Sequence, residues 1–498
     1  SAASDVYKRQ ILATGGDTAE AEKLLAVQSD YIRRRFDCSD FYLVYYPYIL
    51  RTFGKRGSGI LSEKTENELT DCLLGFRYWI DEPGNDAMWF WSENHALMFH
   101  TCQLLAGELF PDEVFTNSGL TGRQMQAKAK NMLYDWFVTF RKEGFTEWNS
   151  SPYLPIDTLG FGSLYAFAQD PAMRELGREG MDFAYYLLAV HSQQGIFASS
   201  SGRTYIKEQF GNWSNCPSGL SWIGYGYGVP GHAGKGITSY CLSDYEPPKE
   251  FAQWFSIPRG KEMICQTTQG NDGYVDLYTY KTADYMMTSA NDFHPGEPGH
   301  QENPFQLTFN AVAQLWVTHP GERVLFGAAR PSYWAGNGTL PKVNQYKAFA
   351  GLIYDIAPEH PVDFTHLYLP SMEFDRCEVE GKWAFVQLGS AYAAVYCSNG
   401  MRMQDFGSNK DRECIAEGRR CIWLVRAAQA DEFAAFEDFK AAMRGAALDA
   451  DAEGRRYRFV DPVYGELRCQ WGETLYVNDA PMQYSGFDNY GKLTMQEK

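Results

Sequence analysis

Apolar residues recur at three- and four-residue intervals through the first half of the chain and at two-residue intervals through the second. The first rhythm marks a helix with one buried face, the second a strand with one buried face. The helical rhythm predicts helices over 18–35, 41–53, 65–80, 93–109, 121–142, 156–169 and 171–193. Within 93–109, Leu97, Thr101, Leu104 and Leu105 share a face, and Ser92 is placed to cap it. Asn94 and His95 then fall in the first turn. Met125, Met132, Trp136 and Phe137 repeat in the same way over 121–142. Consecutive amphipathic helices with short loops predict antiparallel hairpins, as a bundle or an α/α toroid. No short internal repeat points to a solenoid.

Between 195 and 240 the character changes to Gly-rich aromatic runs, such as Ser199–Tyr205 and Ile223–Gly228. Long loops with this many aromatics more often line sites than plain connections do. Pro247-Pro248 marks a domain boundary. From about 257 the alternation is β, as in Tyr274–Tyr280, Gln306–Phe309, Trp383–Leu388 and Cys421–Val425. Turn signals recur at Asn271-Asp272-Gly273 and Glu380-Gly381-Lys382. The second half therefore reads as a large antiparallel sandwich interrupted by one helix at about 432–446.

Composition narrows the function. A chain of 498 residues that is 45% hydrophobic can bury large cores without staples. Aromatics reach 15%, with 13 Trp and 32 Tyr. They serve sandwich packing or, as flat rings with a polar handle, the faces of sugars. A net charge of −17 argues against nucleic-acid binding. No apolar run reaches membrane-spanning length. The 11 cysteines include no CxxC pair and no zinc-finger spacing, and most are expected to be buried thiols. No P-loop, dinucleotide fingerprint, GxSxG elbow or HExxH is present. Asp5–Gln10 matches the translation of a sequencing adapter, which points to a bacterial metagenomic gene with its true N-terminus missing. A periplasmic or extracellular location is the expectation, although no signal peptide is seen.

Trp91-Ser92-Glu93-Asn94-His95 and, 58 positions after His95, the tyrosine of Glu147-Trp148-Asn149-Ser150-Ser151-Pro152-Tyr153 stand out. With the helical half before the β half, they resemble the heparinase II/III and alginate lyase group of polysaccharide lyases. The resemblance implies an α+β multidomain fold. An α/α toroid, an incomplete barrel of helical hairpins, would cover 11–250. An antiparallel β-sandwich over 257–498 would share the cleft. It implies β-elimination on a uronic-acid polysaccharide. Asn94 and His95 look like the pair that neutralises the uronate carboxylate, and Tyr153 like the catalytic tyrosine, with Asn149 beside it. Gly299-His300 before Phe305–Phe309 is similar to the family's Gly-His loop, and Tyr333-Trp334 sits where a second cleft tyrosine is expected. The family's Asp after the His is replaced by Gln301-Glu302.

β-Elimination needs the carboxylate charge neutralised and an acid and a base at the ring. Asn94, His95, Tyr153, Arg203 and His300 supply that list with no cofactor and no catalytic metal. The expectation is that they converge on one cleft. Arg203 and Lys207 are the candidates for the local basic cluster that an acidic chain needs for an anionic polysaccharide. Tyr205 is a second candidate acid. Blander readings stand beside these. Asn94 can cap its helix, and His95 can be a packing histidine. Arg203 and Lys207 can be solvated loop charges, while His100 and His191 fit core positions. Asn337, between two glycines, can simply supply a left-handed turn. His300 can instead join His294 and Glu302 around a structural divalent cation. Two other classes remain open. One is an inverting glycosidase using paired carboxylates among Glu93, Glu147 and Asp157. The other is a non-catalytic glycan-binding protein. Which uronate is cut, and the oligomeric state, are not legible.

Overall fold

The computed structural model of the chain describes residues 11–210, 215–229, 236–270 and 273–498. The N-terminal decapeptide and the Asn271-Asp272 part of the expected turn lie outside them. The chain divides into two compact units. A helical unit holds residues up to Arg141, Tyr153–Tyr185 and Ala233–Pro248. A β unit holds Lys142–Pro152, Tyr186–His232 and Lys249–Lys498. Pro248 is the last residue of the helical unit. Two segments from within 11–250 nevertheless belong with the strands.

The helical unit is built on two helices that are buried nearly all round, Glu93–Leu109 and Leu154–Phe167. Their sequences are apolar on every face, the pattern of a helix with neighbours on all sides. They cross at Gly160, where an added Cβ would meet the Leu97 side chain at 2.8 Å. Only a residue without a side chain lets the backbones approach so closely. Thr18–Arg33 and Glu63–Gly75 are amphipathic outer helices. The predicted 41–53 helix is two, Ser39–Leu43 and Tyr46–Phe53, the second opening on Pro47 in its first turn. The helix predicted at 121–142 runs Gly122–Glu143.

The β unit contains, among the described residues, three antiparallel sheets. The largest has nine strands, in the order Arg402–Met403, Glu413–Glu417, Phe364–Tyr368, Gln314–Thr318, Phe305–Thr308, Met286–Asn291, Val275–Lys281, Lys261–Gln269 and Lys492–Glu497. A six-stranded sheet runs Lys342–Tyr346, Phe349–Asp355, Arg420–Gln429, Ala391–Cys397, Trp383–Leu388 and Arg376–Glu380. One core joins them: Leu307, Leu315 and Val317 from the first sheet pack with Phe349, Leu352, Val395 and Val425 from the second. This is the expected sandwich. A five-stranded sheet over 448–481 adds Phe459, whose ring stacks on Phe349 at 5.7 Å. The single late helix is Phe436–Gly445. Most of the 11 cysteines are buried thiols, as expected. No helix among the described residues is long and apolar enough to cross a membrane.

Candidate functional site

The sequence-predicted residues fall in both units. Asn94, His95 and Tyr153 lie in the helical unit. Asn149, Arg203, Tyr205, Lys207, His300, Tyr333 and Trp334 lie in the β unit.

In the helical unit Ser92 has the extended backbone of an N-cap, but its hydroxyl donates to Asn94 Oδ1 at 3.2 Å instead of accepting from the helix. Asn94 is 3% exposed, and its Nδ2 has no hydrogen-bond partner. A buried amide donor left open in this way costs stability unless a ligand takes it. His95 lies flat on Phe41 with ring centroids 4.9 Å apart. Its Nδ1 is 2.8 Å from Asp40 Oδ2 and its Nε2 is 3.7 Å from Asp37 Oδ1. Burial works against the charge on His95, but Asp40 and then Cys38 outweigh it and raise the group to about 10. Both ring nitrogens therefore already face groups of this chain, which departs from the role of free carboxylate holder. Tyr153 is half-buried at the mouth of its helix, and its carbonyl accepts from Ile156 and Asp157.

In the β unit the loop 199–205 lies against the strand-leading segment 301–303. Ser201 and Asn303 form a bridge, and Thr204 exchanges hydrogen bonds with Gln301, N–H to carbonyl at 3.0 Å and Nε2 to carbonyl at 2.7 Å. This pairing sets Arg203 and Tyr205 beside the His300 loop. Arg203 Nη1 is 3.1 Å from Glu147 Oε1, and its Nη2 donates to the Tyr205 hydroxyl at 3.2 Å. Arg330 adds a second guanidinium, 5.5 Å from the Tyr205 ring centre. Gly202 is needed here, because a Cβ would strike the Trp148 indole at 2.6 Å. His300 is exposed, and its amide is held by the Glu302 carboxylate. Lys207 projects to solvent and pairs with Glu208 at 3.1 Å.

Next to this strip is a small polar pocket, partly open to solvent. Asn149, Ser199, Ser201, Thr204, Glu208 and Gln306 contribute to its wall. Asn149 takes a left-handed conformation (φ 48°) and donates to the Ser200 carbonyl at 3.3 Å. Three buried atoms of the wall have no hydrogen-bond partner: Asn149 Oδ1, Ser199 Oγ and Glu208 Oε2. Burial pushes the Glu208 carboxyl above the usual carboxylate range, against the pull of Lys207.

Several expectations are revised. Tyr333 and Trp334 are core aromatics, 8% and 1% exposed, in a cluster with Trp316 and Tyr368. Tyr333 donates to Glu413 Oε1 at 2.6 Å, and Trp334 stacks on His366 at 4.1 Å. They offer no open face to a sugar. Glu413 also meets His366 Nδ1 at 2.7 Å and accepts from Asn409 at 2.7 Å. Burial raises the Glu413 carboxyl, but these partners together hold it below its ordinary value. Asn337 is not the left-handed residue of its loop. That conformation belongs to Gly336 (φ 90°), and the Asn337 side chain is fully buried as a linchpin, accepting from His319 N–H and Tyr354 O–H and donating to the Glu302 carbonyl. His294 pairs with Glu297 at 3.4 Å. Among the described residues His294, His300 and Glu302 do not close into a cluster of metal-type donors. His100 and His191 are buried, as core histidines should be.

Sequence reading missed Asp37, Cys38 and Asp40, which meet His95 only through the fold. It also missed Glu208 and Arg330. Glu208 follows Lys207 in an ordinary charged run, and Arg330 has no motif around it.

No protein-family model matches the chain, and no curated protein matches it. Among solved structures it is similar to one titled "Crystal Structure of Heparinase III", at 8% identity and a TM-score of 0.43, over 95% of this chain and 82% of that one.

Proposed function

We propose that the chain cleaves an anionic, uronic-acid-containing polysaccharide by β-elimination. The observation that carries this reading is the pocket with three unpartnered buried polar atoms beside the Arg203–Tyr205 pair. Open acceptors and a hydroxyl in a water-poor wall suit the hydroxyl groups of a sugar. A phenol held by one guanidinium, with a second over its ring, suits a group that passes a proton at an anionic centre. Arg203 and Arg330 would offset the carboxylate charge. Tyr205 and His300 would serve as acid and base. In the helical unit, taken by itself, Asn94 keeps an open buried amide donor of the kind that a carboxylate or hydroxyl of the sugar would take. The test is incubation of the full chain with a panel of uronic-acid polysaccharides, followed by ultraviolet absorbance. Elimination creates a conjugated double bond and hydrolysis does not. New reducing ends without that absorbance would overturn the reading.

That outcome would favour a glycosidase. One observation supports such a second reading: burial shifts the Glu208 carboxyl upward, the direction that a general acid needs.

A further inference from the structure

The helical unit carries a donor cluster that the proposed sugar chemistry does not use. The Asp37 carboxylate, the Cys38 thiol and the His95 imidazole bring one donor atom each to within 4.8 Å of one another. His95 Nε2 lies 3.7 Å from Asp37 Oδ1. Donors around a tetrahedral zinc stand roughly 3.4–3.6 Å apart, given metal–ligand bonds of about 2.0–2.3 Å. Closing donors that stand no more than 4.8 Å apart onto an ion therefore shortens a separation by at most about 1.4 Å.

The second layer of the site is already in place. Asp40 is fully buried at the start of the helix Ser39–Leu43, and its Oδ2 is 2.8 Å from His95 Nδ1. A carboxylate on one imidazole nitrogen fixes the ring and directs the other nitrogen outward, where an ion would bind by displacing its proton, the arrangement that supports metal-bound histidines. Here the other nitrogen, Nε2, faces Asp37. Phe41 stacks on the ring and Phe99 lies near it, so the imidazole has little freedom to turn. The Asp40 carbonyl also accepts from Cys102 Sγ at 3.4 Å, tying this segment to the buried helix Glu93–Leu109. Cys38 holds a left-handed backbone conformation, φ 65°, which is unfavourable for a residue with a side chain. The Asp37 side chain is 56% exposed, which leaves one side of the cluster open to solvent.

We propose that Asp37, Cys38 and His95 bind one borderline-soft divalent metal ion of the zinc type, with Asp40 as the residue that orients His95. The mixed sulfur, nitrogen and oxygen set selects zinc or cobalt over calcium and magnesium, which take oxygen ligands. Three protein ligands leave a fourth position for water or an incoming group. The proposal does not rest on the lyase reading, and its test reads metal, not turnover.

The full-length protein is stripped with a chelator and titrated with zinc against a chromophoric competitor. One equivalent bound per chain is the expected result. Cobalt in place of zinc should give a thiolate-to-metal charge-transfer band. Cys38→Ala should abolish the band and the stoichiometric uptake, and Asp37→Asn should weaken binding. Asp40→Asn should weaken it about 10- to 100-fold, the usual effect of losing such a support. Cys241→Ser, which removes an exposed thiol elsewhere, should leave uptake unchanged. Circular dichroism melts of each variant confirm folding. Absence of stoichiometric zinc uptake, or uptake that survives Cys38→Ala, overturns the proposal. So does a preference for calcium over zinc.

Discussion

Arg203 Nη2 donates to the hydroxyl of Tyr205 across 3.2 Å, so the guanidinium lies where negative charge on that phenol would develop. The second guanidinium, Arg330, sits over the ring. Tyr205→Phe removes the hydroxyl and keeps the ring. We expect a fall in kcat of about 10²-fold or more with an almost unchanged melting temperature. An activity within a few-fold of the parent would remove Tyr205 from the mechanism. Arg203→Ala should instead raise KM as well, because its charge is present before and during reaction.

Tyr153→Phe and Asn94→Ala test, in the same assay, whether the helical unit takes part in turnover. If Tyr153 passes a proton, kcat drops by about 10²-fold while KM holds. Asn94→Ala should harm both constants and cost little stability, since it gives up the Ser92 hydroxyl on its Oδ1 while its Nδ2 has no partner to lose. A large loss of stability with normal kinetics would make Asn94 a structural cap.

Acid stability should depend on buried neutral histidines. His191 contacts Thr279 Oγ1 at 2.9 Å, and burial, then Lys281, lower it to about 3. Unfolded histidine titrates near 6.5. Between those values the unfolded chain holds a proton that the folded chain does not, so stability is complete above about 6.5 and is lost as pH falls toward 3. In His191→Gln the dependence of unfolding free energy on pH, measured by urea melts in the lower half of that window, should flatten by about 1.4 kcal/mol per pH unit. An unaltered slope would mean that His191 is already protonated in the folded protein.

The Glu413 cluster should prove structural. Glu413→Ala strands the Tyr333 hydroxyl and the His366 ring in a dry core. Each buried group left unpaired costs about 1–3 kcal/mol, so a loss of about 2–6 kcal/mol is expected in denaturant melts. Tyr333→Phe deletes one donor together with its need for a partner and should cost less. Equal losses in the two variants would contradict this account.

The layout was legible in the chain because period is a local signal. The helix expected at 93–109 is Glu93–Leu109, and the strand expected at 383–388 is Trp383–Leu388. What failed was whatever depends on distant partners. Trp334 reads like a surface aromatic in a Gly-rich loop, yet His366 stacks on it and closes it into the core. His95 reads like an open cation, yet Asp40, 55 positions earlier, takes its Nδ1. Lys142–Pro152 reads as the tail of a helical region, but its backbone and side chains belong with strands more than a hundred positions later, as when Gly144 packs on Gln269 and Asn489. No periodicity records such pairings.

The bridge between Ser201 and Asn303 bears on the order in which the molecule matures. Arg203 and Tyr205 are synthesised well before the segment against which they are set, so their geometry cannot exist while the ribosome is still short of residue 303. Contacts between such distant stretches form late, after the entropy of closing the intervening loop has been overcome. A chain truncated before residue 300 would keep Arg203 and Tyr205 in its sequence without the partner strand that aligns them. Recombinant fragments of the first half are therefore poor vehicles for assaying this protein, however well their helices form.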